Sequence, residues 1–269
     1  GPPQWNWQGL KKGDVTLPRF GLDDDTYRRV ASGTTHIIHS AAIVKMNLPL
    51  EEARHSAVSS VKAILELAEQ CRSNGNLQKV DIVSTVGVSG LTPGLMPEEP
   101  MLHVEKFHNT YEASKSEAER YIFANQGQLP LTIHRPSMVV GHSQTGKIIH
   151  FQVFYHLCEF LSGRHTHGVI PQIKGVSLDT IPVDYVAKAI VYSALNPEKT
   201  KGRIFHLCSG PDSAMPIGEL ASRVSQAMGG KSPFTIPYGV FRHGLGIMAR
   251  FSGERNRKAL RNLPIFLNY

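Results

Sequence analysis

The sequence has no continuous apolar run of the ~18 residues that a membrane-spanning helix needs, which argues against an integral helical membrane protein. No signal peptide is expected, and the first residue is not Met. Cysteine is scarce: Cys71, Cys158 and Cys208 are three in number and far apart. Secreted small domains use even, clustered cysteines, so a reduced, cytoplasmic setting is the expectation. No Cys-x-x-Cys occurs, which excludes a structural zinc site built on that motif. Glycine is plentiful, yet no glycine-rich phosphate loop precedes the one motif with chemical content, Tyr111-Glu112-Ala113-Ser114-Lys115.

What is present supports a packed globular chain. Of 269 residues, 41% are apolar and 19% charged, enough for one large domain or two small ones and against global disorder. The net charge of +7 suits an anionic cofactor or an acidic protein partner, and equally a simple solubility margin.

Strand and helix patterns alternate. Thr35 to Ala42 reads as a buried strand running into small residues, and Leu50 to Arg72 as a helix with Ala57, Val61, Ile64, Leu65 and Ala68 near 3.6 spacing. Val80 to Thr85 reads as a strand, Thr110 to Asn125 as a helix, and Leu131 to His134 as a strand stopped by Pro136. Val183 to Leu195 follows as a helix and Arg203 to Leu207 as a strand. Apolar strands alternating with helices predict an α/β fold with a parallel, doubly wound sheet. The alternation weakens after residue 141. The expected organisation is therefore a sheet domain over 1–140 and 179–210, and a smaller lobe over 141–178 and 211–269.

Tyr111 and Lys115 are four apart on a predicted helix and share a face. An ammonium beside a phenol favours the phenolate, so Lys115 is expected to lower the Tyr111 pKa and make it a proton donor to a carbonyl under reduction. Ser84-Thr85 ends a strand 26 residues earlier, where a hydroxyl can bond the same carbonyl oxygen, and Arg135-Pro136 ends the next strand. In a doubly wound sheet all of these lie at the carboxyl ends of strands, where ligands bind.

On these motifs the chain resembles the extended short-chain dehydrogenase/reductases. It is most similar to the thioester reductase and fatty acyl reductase group, which includes terminal reductase domains of peptide and polyketide synthetases and of carboxylic acid reductases. The resemblance is carried by Gly13-Asp14-Val15-Thr16, Phe20-Gly21-Leu22, His36 to Val44, Ser84-Thr85-Val86, Tyr111 to Lys115 with Glu117 and Glu119, His134-Arg135-Pro136-Ser137 and Ile181 to Val186. It covers residues 13–210 well and the tail poorly. It implies a Rossmann-like fold, NADPH as cofactor and a catalytic triad of Thr85, Tyr111 and Lys115. It also implies Asp14 near the adenine, backbone of Ala41 and Ala42 along the cofactor cleft, and Pro136 and Ser137 flanking the nicotinamide. The implied reaction is hydride transfer to a carrier-bound acyl or peptidyl thioester, releasing an aldehyde that some members reduce on to an alcohol. The implied partner is an acyl or peptidyl carrier protein with its phosphopantetheine arm.

The sequence departs from the family pattern twice. The family's first strand, Gly-x-x-Gly-x-x-Gly turn and first helix are expected before Gly13 and do not appear, which predicts severely weakened NADPH affinity. Ala57 stands where the family often has Asn. Three other readings stay open: redox-neutral release by ring closure of the Dieckmann type, action of the same fold on another small substrate such as a sugar nucleotide, and a non-catalytic fragment.

Other signals carry less. Gly141 to Lys147 matches most of a Walker A loop, but Ile148 replaces the magnesium-binding hydroxyl, and a flexible loop over the cleft is the better expectation. His150, His156, His165 and His167 have no carboxylate at ligand spacing, so no metal site is expected. The basic run Arg250, Arg255, Arg257, Lys258 and Arg261 reads as a solvated helix face or a dock for an acidic carrier protein; no nucleic-acid motif accompanies it.

Overall fold

The computed structural model describes residues 12–46, 48–151, 153–166, 168–230, 232–241 and 243–244. The basic run at 250–261 lies outside the described residues. In chain order the elements begin with α1 (Asp24–Gly33), β1 (His36–His39), α2 (Leu50–Ser73), β2 (Lys79–Val83), a 3₁₀ turn (Val86–Ser89), α3 (Thr110–Asn125), β3 (Leu131–Pro136) and β4 (Met138–Val140). They continue with α4 (Val153–Leu161), β5 (Val169–Pro171), β6 (Ser177–Leu178), β7 (Thr180–Pro182), α5 (Val183–Leu195) and α6 (Pro197–Thr200). The last are β8 (Ile204–Leu207), β9 (Met215–Pro216), α7 (Ile217–Ala227) and β10 (Phe234–Ile236).

The main sheet has the order β1-β2-β3-β8, with β1 and β2 parallel in the register His36 with Lys79 to His39 with Ile82. A parallel pair needs a crossover, and α2 supplies it. Glu51 and Glu52 in its first turn and Arg72 in its last complement the helix dipole. Gly75, at a φ of 77°, ends it in the left-handed conformation that glycine adopts without a steric cost. This is the α/β architecture with a parallel sheet expected from the alternating pattern.

The chain clusters into two compact units, Gly1–Ile133 with Ser193–Ile204, and His134–Tyr192 with Phe205–Tyr269. Residues 134–140, 179–192 and 205–210, expected in the sheet domain, thus cluster with the second unit. The first unit has one core, in which Ile64 and Leu67 of α2 meet Ile37, Val80, Ile82 and Ile133 of the sheet. Each such aliphatic side chain contributes about 2 kcal/mol by leaving water. Helices α2 and α3 pack against each other, and Arg54 of α2 grips the Glu117 carboxylate of α3 through Nε and a terminal nitrogen at 2.7–2.9 Å.

In the second unit, Leu157, Phe160 and Leu161 of α4 pack with Ile170 of β5 and with Ile217 and Leu220 of α7. Strand β4 pairs with β7 and β5 with β10, both parallel, and β6 pairs with β9 antiparallel. The Gly141–Lys147 loop, expected to be flexible, closes on itself through His142 N–H to the Lys147 carbonyl at 3.0 Å. Its Ser143 donates backbone and hydroxyl protons to Asp184 of α5 at 2.8 and 2.9 Å. These bonds hold the Asp184 carboxyl down at about 2.

Candidate active site

Helix α3 carries the site. Asn109 caps it, accepting the Glu112 N–H at 3.0 Å, and the Thr110 hydroxyl ties its start to the carbonyls of Leu48 and Met46 at 2.8 and 3.2 Å. Its buried face is unusual, because Glu112, Ser114, Lys115, Ser116 and Glu119 are all buried with Ala118 and Ile122. Charged side chains are rarely buried without a partner or a task.

Lys115 is 8% exposed, and its Nζ donates to the Val83 carbonyl at the end of β2, at 3.0 Å. An ammonium has three donors, so two remain for a ligand. Burial drives its pKa from 10.5 to about 8, with Glu119, one turn along, pulling it back up. Two residues beyond Val83, Thr85 caps the 3₁₀ turn, its Oγ1 accepting the Gly87 N–H at 3.1 Å. The hydroxyl proton of Thr85 is thereby left to donate elsewhere. The 3₁₀ turn packs against α3. Thus Thr85, Tyr111 and Lys115 sit on two adjoining pieces of one unit, the end of β2 and the first turns of α3.

One expectation fails. The Tyr111 phenol is not acidified: burial, and then Glu112, push its pKa up to about 12. Lys115 spends one donor on the Val83 carbonyl, and the loss of water around the phenol sets the direction of its shift. Tyr111 therefore carries its proton at neutral pH, as a donor must, and is a weaker acid than a free phenol.

The remaining expected residues fall as follows. Asp14 is exposed, and its Oδ1 accepts the Thr16 N–H and hydroxyl at 2.8 and 2.7 Å, which lowers its pKa. Ala41 and Ala42 follow β1 and are exposed. Pro136 and Ser137 belong to the second unit. There Pro136 is buried, the Ser137 N–H bonds the Leu207 carbonyl at 2.9 Å, and the Ser137 hydroxyl is buried without a partner.

Four further side chains lie at the site. His39, at the end of β1, is 3% exposed, and burial and then Lys115 hold its pKa down at about 4. Ser60 of α2 spends its hydroxyl proton on the Ala57 carbonyl at 2.9 Å, so the 3.3 Å contact with His39 Nε2 makes the imidazole the donor there. Ser84 is buried with its hydroxyl unpartnered, and Glu112 is buried beside Tyr111. The His39-Ser40-Ala41-Ala42 run and the carboxylate next to the tyrosine were the available signals. Among the described residues no cluster of His, Cys, Asp and Glu could hold a metal ion.

The model of the Male sterility protein family, an NAD-binding family, matches residues 10–190. The chain belongs to this family. Glycine betaine reductase ATRR of Emericella nidulans is 31% identical over 203 residues, which is 72% of this chain and 15% of that protein. The terminal R domain from the myxalamid PKS-NRPS biosynthetic pathway superposes with a TM-score of 0.75 at 30% identity, covering 95% of this chain and 61% of that one. A thiolation-reductase di-domain from an archaeal non-ribosomal peptide synthetase shares the fold, with a TM-score of 0.68 at 21% identity over 96% of this chain and 52% of that one. The chain therefore spans about one-seventh of the curated reductase it matches and three-fifths of the myxalamid R domain. The Rossmann-like reductase fold is common to this chain and these domains.

Two observations bear on whether a nicotinamide cofactor fits. Lys115 keeps two N–H donors at the end of β2, suited to ribose hydroxyls, and the buried Ser84 hydroxyl is without a partner. The residues present fit the nicotinamide–ribose half; the 269 residues contain no Gly-x-x-Gly-x-x-Gly turn for the pyrophosphate.

Proposed function

We propose that this chain carries the catalytic part of an NADPH-dependent thioester reductase that releases an acyl or peptidyl group as an aldehyde. The observation that carries the reading is the buried Lys115 ammonium on the Val83 carbonyl, one helical turn from a protonated Tyr111 and two residues from Thr85. A buried cation costs stability. A helix whose inner face could have been apolar has kept one at the end of a strand.

NADPH, when bound, supplies the hydride. Lys115 holds a ribose hydroxyl with its two remaining donors. Thr85 and Tyr111 donate hydrogen bonds to the thioester carbonyl oxygen and stabilise the negative charge that grows there. Tyr111 then gives its proton to that oxygen, and the resulting hemithioacetal expels its thiol to leave the aldehyde. The thiol is proposed to belong to the phosphopantetheine arm of a carrier protein, as the thiolation-reductase relative suggests by analogy.

The test is a product analysis. An acyl-pantetheine thioester with NADPH deuterated at the transferred position should give an aldehyde carrying one deuterium at the former carbonyl carbon. A Tyr111→Phe variant should slow this by about a hundredfold. A ring-closed product without deuterium would replace reduction by redox-neutral release.

A further inference from the structure

Glu112 follows Tyr111 directly and is 1% exposed, although it lies in the first turn of a helix that Asn109 already caps. Burying a carboxylate is costly unless it is bonded, and this one is. Its Oε2 accepts the His108 backbone N–H and faces His108 Nδ1, both at 3.0 Å. On its other side, its Cγ stands 2.9 Å from where a side chain on Gly87 would begin. Gly87 is the residue whose N–H bonds Thr85 Oγ1. One buried side chain therefore fills the space between the turn that bears Thr85 and the helix start that bears Tyr111, and only glycine at 87 leaves it that space.

We propose that Glu112 is a positioning residue whose buried side chain, anchored by His108, fixes the spacing between the Thr85 turn and Tyr111. The reading rests on the proposed function only for what the spacing is used for; the strut itself is a statement about the folded chain. The negative charge of Glu112 also adds to burial in keeping the Tyr111 phenol protonated.

The test is amide hydrogen exchange in Glu112→Ala and Glu112→Gln. Glu112→Ala should raise exchange at the Gly87 and His108 amides by about tenfold, the scale set by one lost hydrogen bond, with α2 and β2 unchanged. Glu112→Gln, which keeps length and a carbonyl acceptor, should restore protection at Gly87. Gly87→Ala, which drives the turn off Glu112, should reproduce the local loss and serves if Glu112→Ala does not fold. Unchanged exchange at Gly87, or a rise spread evenly along the chain, overturns the proposal. In turnover, Glu112→Ala should lower kcat about tenfold with KM unchanged, and Glu112→Gln should recover most of it. Local loss of protection with no hydride transfer by any variant would support the strut and overturn the reductase reading instead.

Discussion

Replacing Lys115 with Met should stabilise the protein at neutral pH while removing the cation proposed to hold the cofactor ribose. Burial lowers the Lys115 pKa from 10.5 to about 8. At ~1.4 kcal/mol per pH unit, holding the proton in the folded state at pH 7 costs about 3 kcal/mol. Methionine fills the same stem volume without charge, but leaves the Val83 carbonyl without its donor, at about 1 kcal/mol. The net gain is about 2 kcal/mol at pH 7. The sign follows from proton counting: between pH 8 and 10.5 the unfolded chain binds the proton and the folded one does not. The native protein therefore gains stability as pH rises through that window and loses it as pH falls through 8. Between pH 7 and pH 9 the native protein should recover about 1 kcal/mol of the difference. Urea unfolding of both proteins at pH 7 and pH 9 measures this. A Lys115→Met protein less stable than the native one at pH 7, or a difference that does not move with pH, would refute the account of a desolvated ammonium.

Three more predictions follow from buried polar groups and one turn. His39, with its pKa held at about 4 against 6.5 when unfolded, contributes stability present above pH 6.5 and lost as pH falls through 4; His39→Leu should remove about 3 kcal/mol of acid sensitivity in urea titrations across that window. Asp81 is fully buried, takes the Ser193 hydroxyl at 2.6 Å and lies 3.7 Å from the fully buried Lys79. Asp81→Ala should cost about 3–5 kcal/mol in chemical denaturation by stranding that cation, and Asp81→Ala with Lys79→Met should cost much less than the single change. Gly90 has a φ of 52°, and a Cβ there would stand 2.1 Å from the Lys106 carbonyl oxygen, so Gly90→Ala should lose more than about 3 kcal/mol or fail to fold, read by thermal melting.

The long elements were legible because their patterns are long. Helix α3 was expected over Thr110 to Asn125 and α5 over Val183 to Leu195, and both span those residues. Helix α2 was expected over Leu50 to Arg72 and runs to Ser73. Strands β1, β2, β3 and β8 fell where short apolar runs met small residues or proline. The pairs β4–β7, β5–β10 and β6–β9 have two or three residues per strand, too few for any period to show. Helices α4 and α7 lie where the alternation had faded, their apolar faces serving a separate core.

The candidate site was half visible. Tyr111 and Lys115 announce themselves by spacing, and Thr85 by ending a strand. Burial did not announce itself: Lys79 and Asp81 alternate with Val80 and Ile82 as if one face met water, yet all four are buried. For the same reason the sequence suggested that Lys115 would acidify Tyr111. The outcome turns on where Nζ points and how much water the phenol keeps, and spacing encodes neither. Glu112 reads in sequence as an ordinary acidic residue in a first helical turn. Its place between Gly87 and His108 emerges only when the 3₁₀ turn is folded onto α3.

The most direct test of the central claim is transfer of deuterium from labelled NADPH to an acyl-pantetheine thioester, followed by mass spectrometry in the native protein and in Tyr111→Phe. The account predicts an aldehyde with one added deuterium, formed about a hundredfold more slowly by the variant. An unlabelled product, or a labelled one formed at the same rate without the Tyr111 hydroxyl, would contradict it.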